Sequence, residues 1–185
     1  MKGLFSILLF FILLIGPGIC HSQEYYQTTN AKTRFYSSAP IEDIEAISNE
    51  GISVINAKTG EISFQIKIRT YRFRKALMQE HFNENYMESH KYPNAAFRGK
   101  ILDNLDFSSG EKQEVAIKGI LDVHGVKKER ILPATIVINN GELVLTSQFD
   151  VACKDHDIKI PKIFWKNIAE VIQVNVTAKY KKLQK

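Results

Sequence analysis

The feature that most constrains this fold is a strict alternation of apolar and polar residues that recurs along the chain. Between Glu61 and Arg69, Ile62, Phe64, Ile66 and Ile68 alternate with polar residues. One face of an extended segment is then apolar and the other polar. The same period of two returns in segments that begin at Val115, Leu143 and Ile172. This pattern is typical of antiparallel sheets with one solvated face.

Turn residues separate these segments and predict hairpins. His124-Gly125 and Asn139-Asn140-Gly141 supply residues that tolerate a positive φ. The pattern gives about eight or nine strands. Because no repeat or linker divides them, we expect one domain over residues 23–185. A closed barrel would remove the sheet edges, whereas a two-sheet sandwich stays open as the alternative.

A barrel of this size is either filled by side chains or wide enough for one small ligand. Several small residues fall at positions that the alternation turns inward, and we expect them to leave room for a ligand. They are Gly99, Gly119, Ser147 and Ala178.

The stretch from Lys75 to Gly99 departs from the strand pattern and predicts one inserted helix. It begins with good helix formers and reaches Pro93, which lacks the N–H needed to continue a helix. A helical period places Met78, Phe82, Asn85, Tyr86 and Ser89 on one side, and turns Glu80, Glu84 and Met87 away. A second, shorter helical turn is predicted over Ile41–Ile47 from the spacing of its isoleucines.

The first residues predict an exported protein. Lys2 precedes a nearly unbroken apolar run over Leu4–Ile15, which is too short for a membrane span of about 20 residues. We expect residues 1–22 to be a cleavable signal peptide and the protein to be periplasmic or secreted. Acylation of Cys20 is the alternative. If Cys20 leaves with the signal, Cys153 is the only cysteine, so no internal disulfide forms, and we interpret it as a small, semi-buried apolar residue.

The charge excess is modest, with 25 Lys and Arg against 20 Asp and Glu. Much of it lies at the C-terminal end and around Arg69–Lys75, so transient contact with an anionic membrane surface is one interpretation, and solvated ends and turns are the other. No motif indicates nucleic-acid binding. The oligomeric state stays open, with a homodimer as the candidate assembly.

The polar candidates fall short of a catalytic motif. His81, Asn85 and Glu88 follow a helical spacing with His90 nearby, but a zinc site normally shows two His or Cys at that spacing with a further ligand. No Gly-x-Ser-x-Gly elbow or phosphate loop is present. We interpret His124-Gly125 as a turn and His156 as part of a solvated loop, and assign no catalytic residue, metal or cofactor.

Several stretches together resemble the YceI-like family. The matching residues are Met78, His81-Phe82-Asn83, Tyr86-Met87-Glu88-Ser89, Lys91-Tyr92-Pro93, Phe97, Gly99, the run from Gly119 to Val126, Phe149-Asp150-Val151, Asp155 and the run from Ile158 to Pro161. The resemblance implies a mainly β, lipocalin-like antiparallel barrel whose apolar cavity holds a polyisoprenoid or another long-chain amphiphile. It implies an exported protein with no shared catalytic residues.

The leading hypothesis is therefore non-enzymatic binding, transport or sequestration of an apolar chain. The residues expected to contact it are Phe64, Ile66, Phe73, Met78, Phe82, Tyr86, Phe97 and Phe149. The rivals are a metal-dependent enzyme that uses His81, Glu88 and His90, and a ligand-free interaction scaffold.

Overall fold

The computed structural model describes residues 24–38, 40–107, 109–161 and 168–183. The predicted signal peptide and Cys20 lie outside these residues. The strands are β1 (Tyr25–Ser37), β2 (Ile44–Asn56), β3 (Glu61–Lys67), β4 (Arg72–Phe73), β5 (Asn94–Ile101), β6 (Gln113–Val123), β7 (Val126–Asn139), β8 (Glu142–Ala152) and β9 (Val171–Lys182). Helix α1 (Ala76–His81) continues into a π-helical segment, Phe82–Tyr86. Within the described ranges, no helix is long and apolar enough to cross a membrane.

The sheet closes on itself. Neighbouring strands follow the order β1-β9-β8-β7-β6-β5-β3-β2, and β2 pairs with β1 to complete the ring. The two-residue strand β4 pairs with Ala46 and Ile47 of β2, beyond the part of β2 that pairs with β3. The predicted antiparallel barrel of about eight strands is confirmed, and the sandwich alternative is wrong.

The two ends of the barrel differ in how they are filled. Toward one end, side chains such as Tyr26, Ile55, Ile136 and Leu143 form a continuous buried core. The Tyr26 ring stacks on Phe107 of the β5–β6 connection, with ring centroids 5.7 Å apart, so this end is covered. Apolar burial of this kind stabilises a barrel whether or not it carries a ligand.

The inserted helix is present but shorter than predicted. It ends at Tyr86, well before Pro93, because Met87 continues into a turn and Glu88 adopts a φ of 41°. Met87 is buried rather than turned away, since the helical period no longer applies beyond Tyr86. The predicted turn over Ile41–Ile47 is also wrong: β2 begins at Ile44 and pairs there with β1.

Candidate functional site: an apolar cavity in the barrel

The barrel contains a cavity of about 380 Å³ at the end where α1 lies. This volume falls within the usual range of small-molecule sites, about 300–1,000 Å³. Inward residues of most strands form its wall, and α1 with the following segment adds Met78, His81, Phe82, Tyr86 and Met87. The lining within the described chain includes no Lys, Arg, Asp or Glu, so the cavity suits an apolar occupant.

Four aromatic rings attach the helix to the barrel wall. Phe82 packs against Phe35 of β1, Phe73 of β4 and Tyr71, with ring centroids 4.9 to 5.8 Å apart. Phe35 also contacts Tyr71 and Phe73 at 5.4 and 5.5 Å. Such offset and edge-on pairs stabilise beyond the area they bury. The cluster therefore holds the helix against the cavity with rings that also face its interior.

All the residues expected to contact the ligand lie on the cavity wall, although their contact with a ligand stays a prediction. They are Phe64, Ile66, Phe73, Met78, Phe82, Tyr86, Phe97 and Phe149. The sequence reasoning missed Phe35 and Tyr71, which also face the cavity. Phe35 belongs to a short run with a period of two from Thr33 to Ser37, and this period could have predicted that its side chain faces inward. Tyr71 follows the 3₁₀ turn Ile68–Thr70, where no such period exists.

The small inward residues do not all leave empty space. Gly99 and Gly119 lie directly opposite each other on β5 and β6. A Cβ atom on either glycine would lie 2.9 Å or less from the Phe97 ring. The missing side chains are therefore replaced by the Phe97 ring, which packs over both glycines, much as aromatic residues cover glycines in other sheets.

Three of the six hydroxyl groups on the described wall, those of Ser37, Ser147 and Tyr180, are engaged in hydrogen bonds. Ser37 Oγ accepts from the Ala169 N–H at 2.8 Å, and Ser147 Oγ donates to the Pro133 carbonyl at 2.6 Å. Tyr180 Oη lies 2.8 Å from Ser53 Oγ, and burial raises the pKa of its phenol to about 12. These groups consequently present mainly carbon to the interior.

Cys153 also lines the cavity and is buried. Burial raises the pKa of its thiol to about 11. A thiolate is the reactive form of cysteine, so this side chain behaves as an apolar wall residue at neutral pH. The interpretation of Cys153 as a small apolar residue agrees with this position.

A largely buried polar cluster holds the segment after the helix against the turn between β6 and β7. His124 Nδ1 lies 3.0 Å from the His156 carbonyl oxygen, and His124 Nε2 lies 3.1 Å from Glu88 Oε2. Each ring nitrogen of His124 thus lies within hydrogen-bond distance of an oxygen, and which nitrogen donates depends on the tautomer. The Tyr92 ring packs on His124 with centroids 4.4 Å apart.

Backbone strain concentrates in the same cluster. Glu88, His124 and Asp157 all adopt a positive φ, between 41° and 54°, which is uncommon for residues with a side chain. Gly125 follows at 76°, and a Cβ atom there would lie 2.6 Å from the Tyr92 ring. Three separate segments therefore accept unfavourable conformations to reach one contact.

Two polar interpretations change with this geometry. The expectation that His156 belongs to a solvated loop is wrong: the residue is fully buried, and its Nδ1 lies 3.1 Å from the Val126 carbonyl. The turn at His124-Gly125 is confirmed, but His124 also carries the contact to Glu88. The described part of the chain holds no cluster of three His, Cys, Asp or Glu side chains that could bind a metal.

The three residues of the alternative metal site, His81, Glu88 and His90, do not meet in the structure. Glu88 contacts His124, whereas His81 lines the cavity and His90 is exposed. A metal site needs several ligands directed at one point. The geometry therefore favours the cavity over this set as the functional site.

A closed antiparallel barrel with an apolar cavity at one end defines the class of small, lipocalin-like binding barrels. The comparison with known families is specific: residues 28–180 match the YceI-like domain. The chain belongs to the YceI-like family.

Solved structures share the same fold. A polyisoprenoid binding domain from Saccharophagus degradans is 14% identical with a TM-score of 0.73, and the match covers 86% of this chain and 98% of that one. BcnA from Burkholderia cenocepacia is 12% identical with a TM-score of 0.69, covering 81% and 95%. The YCEI protein of Campylobacter jejuni is 15% identical with a TM-score of 0.63, covering 78% and 88%. No curated protein matches the chain.

Proposed function

We propose that this protein binds a polyisoprenoid or another long-chain amphiphile in its cavity, and carries or sequesters it without catalysing a reaction. The observation that carries the proposal is the cavity itself, about 380 Å³ in volume and lined mainly by apolar side chains. Removing apolar surface from water contributes about 25 cal/mol per Å², against which the cost of association must be set. The similarity to a polyisoprenoid binding domain supports this class of ligand.

We also propose that the protein is exported, as its N-terminal residues predict, and that it meets its ligand at a membrane surface. Two exposed apolar residues beside the cavity support this contact. Leu77 is next to the lining residue Met78, and Ile41 precedes the lining residue Ile44 by three positions. An ion pair between Lys75 Nζ and Glu42 Oε1, 2.6 Å long, brings their two segments together.

A matched pair of variants tests binding in the cavity. Ser147 faces the cavity from β8, and its neighbour Thr146 is exposed on the outer face. Ser147→Phe should fill part of the cavity and weaken the binding of diphenylhexatriene, an apolar rod that fluoresces in apolar surroundings, by about tenfold or more. Thr146→Phe adds the same ring outside and should leave binding unchanged.

The rival interpretations give different outcomes in this titration. Absence of diphenylhexatriene binding to the wild-type protein, with the fold intact, would favour a ligand-free scaffold. Binding that is equally strong in both variants would place the site outside the cavity. Either result would contradict the proposal.

A further inference from the structure

One buried hydroxyl group on the cavity wall has no hydrogen-bond partner in the described part of the chain. Thr33 lies on β1, lines the cavity and is 3% exposed. Its Oγ1 atom is buried without a hydrogen bond. A buried hydroxyl that lacks a partner costs free energy, so its presence among apolar residues needs a reason.

A second hydroxyl lies beside it. Tyr71 also lines the cavity and is buried, and its ring is fixed by Phe35 and Phe82. Burial raises the pKa of the Tyr71 phenol, and the neighbouring Thr33 hydroxyl opposes part of that rise. The phenol is therefore neutral over the physiological range and keeps its O–H donor.

The Thr33 and Tyr71 hydroxyls can form more hydrogen bonds than the single bond possible between them. Two hydroxyls carry two O–H donors, and one bond between them would use only one. Tyr71 packs against the Phe82 ring of the helical segment, and both hydroxyl-bearing residues line the cavity, so the spare capacity lies on the cavity wall beside the helix.

We propose that Thr33 and Tyr71 form a subsite for one uncharged oxygen, a hydroxyl or carbonyl group, on the bound chain. This inference rests on the proposed function. A neutral oxygen is favoured over a carboxylate or phosphate, because the described lining offers no Lys or Arg to offset a buried charge and His81 is its one histidine. The ligand class is thus narrowed to long-chain alcohols, ketones and related neutral oxygenated lipids.

The test compares an isoprenoid alcohol with its hydrocarbon. Farnesol and farnesene would each displace diphenylhexatriene from the wild-type protein, from Thr33→Val and from Tyr71→Phe. Valine keeps the shape of threonine and removes only the hydroxyl. The loss of one neutral hydrogen bond should weaken farnesol binding by about three- to tenfold and leave farnesene binding unchanged or slightly stronger.

Thr28→Val provides a matched control on the same strand. Thr28 is also buried, but its Oγ1 donates to Asn30 Oδ1 at 3.0 Å. Thr28→Val should lower the melting temperature of the ligand-free protein, whereas Thr33→Val should lower it much less or not at all, because at most its contact with Tyr71 is lost. A drop for Thr33→Val as large as that for Thr28→Val would show that its hydroxyl is already satisfied in the empty protein, and would overturn the subsite.

Different outcomes would overturn the subsite and the binding function. If neither farnesol nor farnesene displaces the probe from the wild-type protein, the binding proposal fails and the subsite fails with it. If both bind and Thr33→Val weakens them equally or not at all, only the subsite is overturned.

Discussion

At the scale of single residues, the paired glycines Gly99 and Gly119 determine where the Phe97 ring lies. A Cβ atom on Gly119 would lie 2.3 Å from the Arg98 carbonyl oxygen and 2.7 Å from Phe97 Cζ. The backbone and the ring together exclude any side chain at this position. The glycine pair therefore sets how closely β5 and β6 approach at this part of the wall.

Gly119→Ala should destabilise the fold by about 1–3 kcal/mol, because the methyl group displaces either the backbone or the Phe97 ring. Gly110→Ala is the control, since its Cβ would meet only the movable Asn139 side chain at close range. Urea unfolding measures both changes. Equal stability of the two variants would contradict this role for the glycine pair.

Because the Cys153 thiol lines the cavity, its reactivity should depend on the pH and on whether the cavity is occupied. Burial raises its pKa from 9.0 to about 11, so at pH 8 it should carry about a hundredfold less thiolate than an unshifted thiol. The fold favours the neutral thiol, so the associated stability is present below pH 9 and is lost as the pH rises toward 11. In a Cys20→Ser background, alkylation by iodoacetamide should accelerate up to about pH 11 and slow when a chain fills the cavity. A plateau near pH 9 would be the contrary result.

At the scale of elements, the cluster of Glu88, His124 and His156 holds the segment after α1 against the turn between β6 and β7. Its contacts join residues that are far apart in sequence, and two of its members, Glu88 and His124, have a positive φ, as does Asp157 next to His156. The cluster thereby fixes the end of the helical segment whose Met78, Phe82 and Tyr86 side chains line the cavity.

His124→Ala should destabilise the protein by about 2 kcal/mol, since it leaves the buried His156 carbonyl and the Glu88 carboxylate without their partner. His90→Ala changes an exposed histidine in the same region and should have little effect. Thermal unfolding compares them. A role for His90 in a metal site would instead make its variant the more damaging of the two.

The sequence predicted the elements whose pattern is local. Ile62, Phe64 and Ile66 alternate cleanly, and the strand that contains them forms as expected. The isoleucines over Ile41–Ile47 share a helical spacing, but pairing of β2 with β1 and β4 overrides it. The predicted helix is longer than the observed one, because the end of the helix depends on Glu88 turning toward His124, 36 residues further along the chain. No local sequence pattern predicts that contact.

In the candidate site, too, the residues with a local pattern were predicted and those positioned by distant contacts were not. Residues on alternating strands or on the helix were predicted to face inward, and the structure places them on the cavity wall. Tyr71 and the burial of His156 were missed, because Tyr71 directly follows the 3₁₀ turn Ile68–Thr70 and His156 ends the 3₁₀ segment Cys153–His156, where no strand or helix period applies. The hydroxyl pair of Thr33 and Tyr71 likewise joins two elements that only the folded barrel brings together.

At the scale of the whole molecule, one end of the barrel contributes most to stability and the other end contains the proposed binding site. One end is filled by the core around Ile55, Ile136 and Leu143, and the cavity occupies the other end beside α1. A ligand that binds only the folded state adds to this stability by mass action. The ring of eight strands closes within the described residues and leaves no free sheet edge there, so the cavity end is where ligand exchange is expected.

The central claim, that the cavity carries a long apolar chain, is tested most directly by organic extraction and mass spectrometry of protein purified from its source without denaturation. Wild-type protein should yield one neutral, long-chain lipid close to one molecule per protein, and Ser147→Phe prepared in parallel should yield much less. Recovery of no lipid from the wild-type protein, or of equal amounts from both, would contradict the claim.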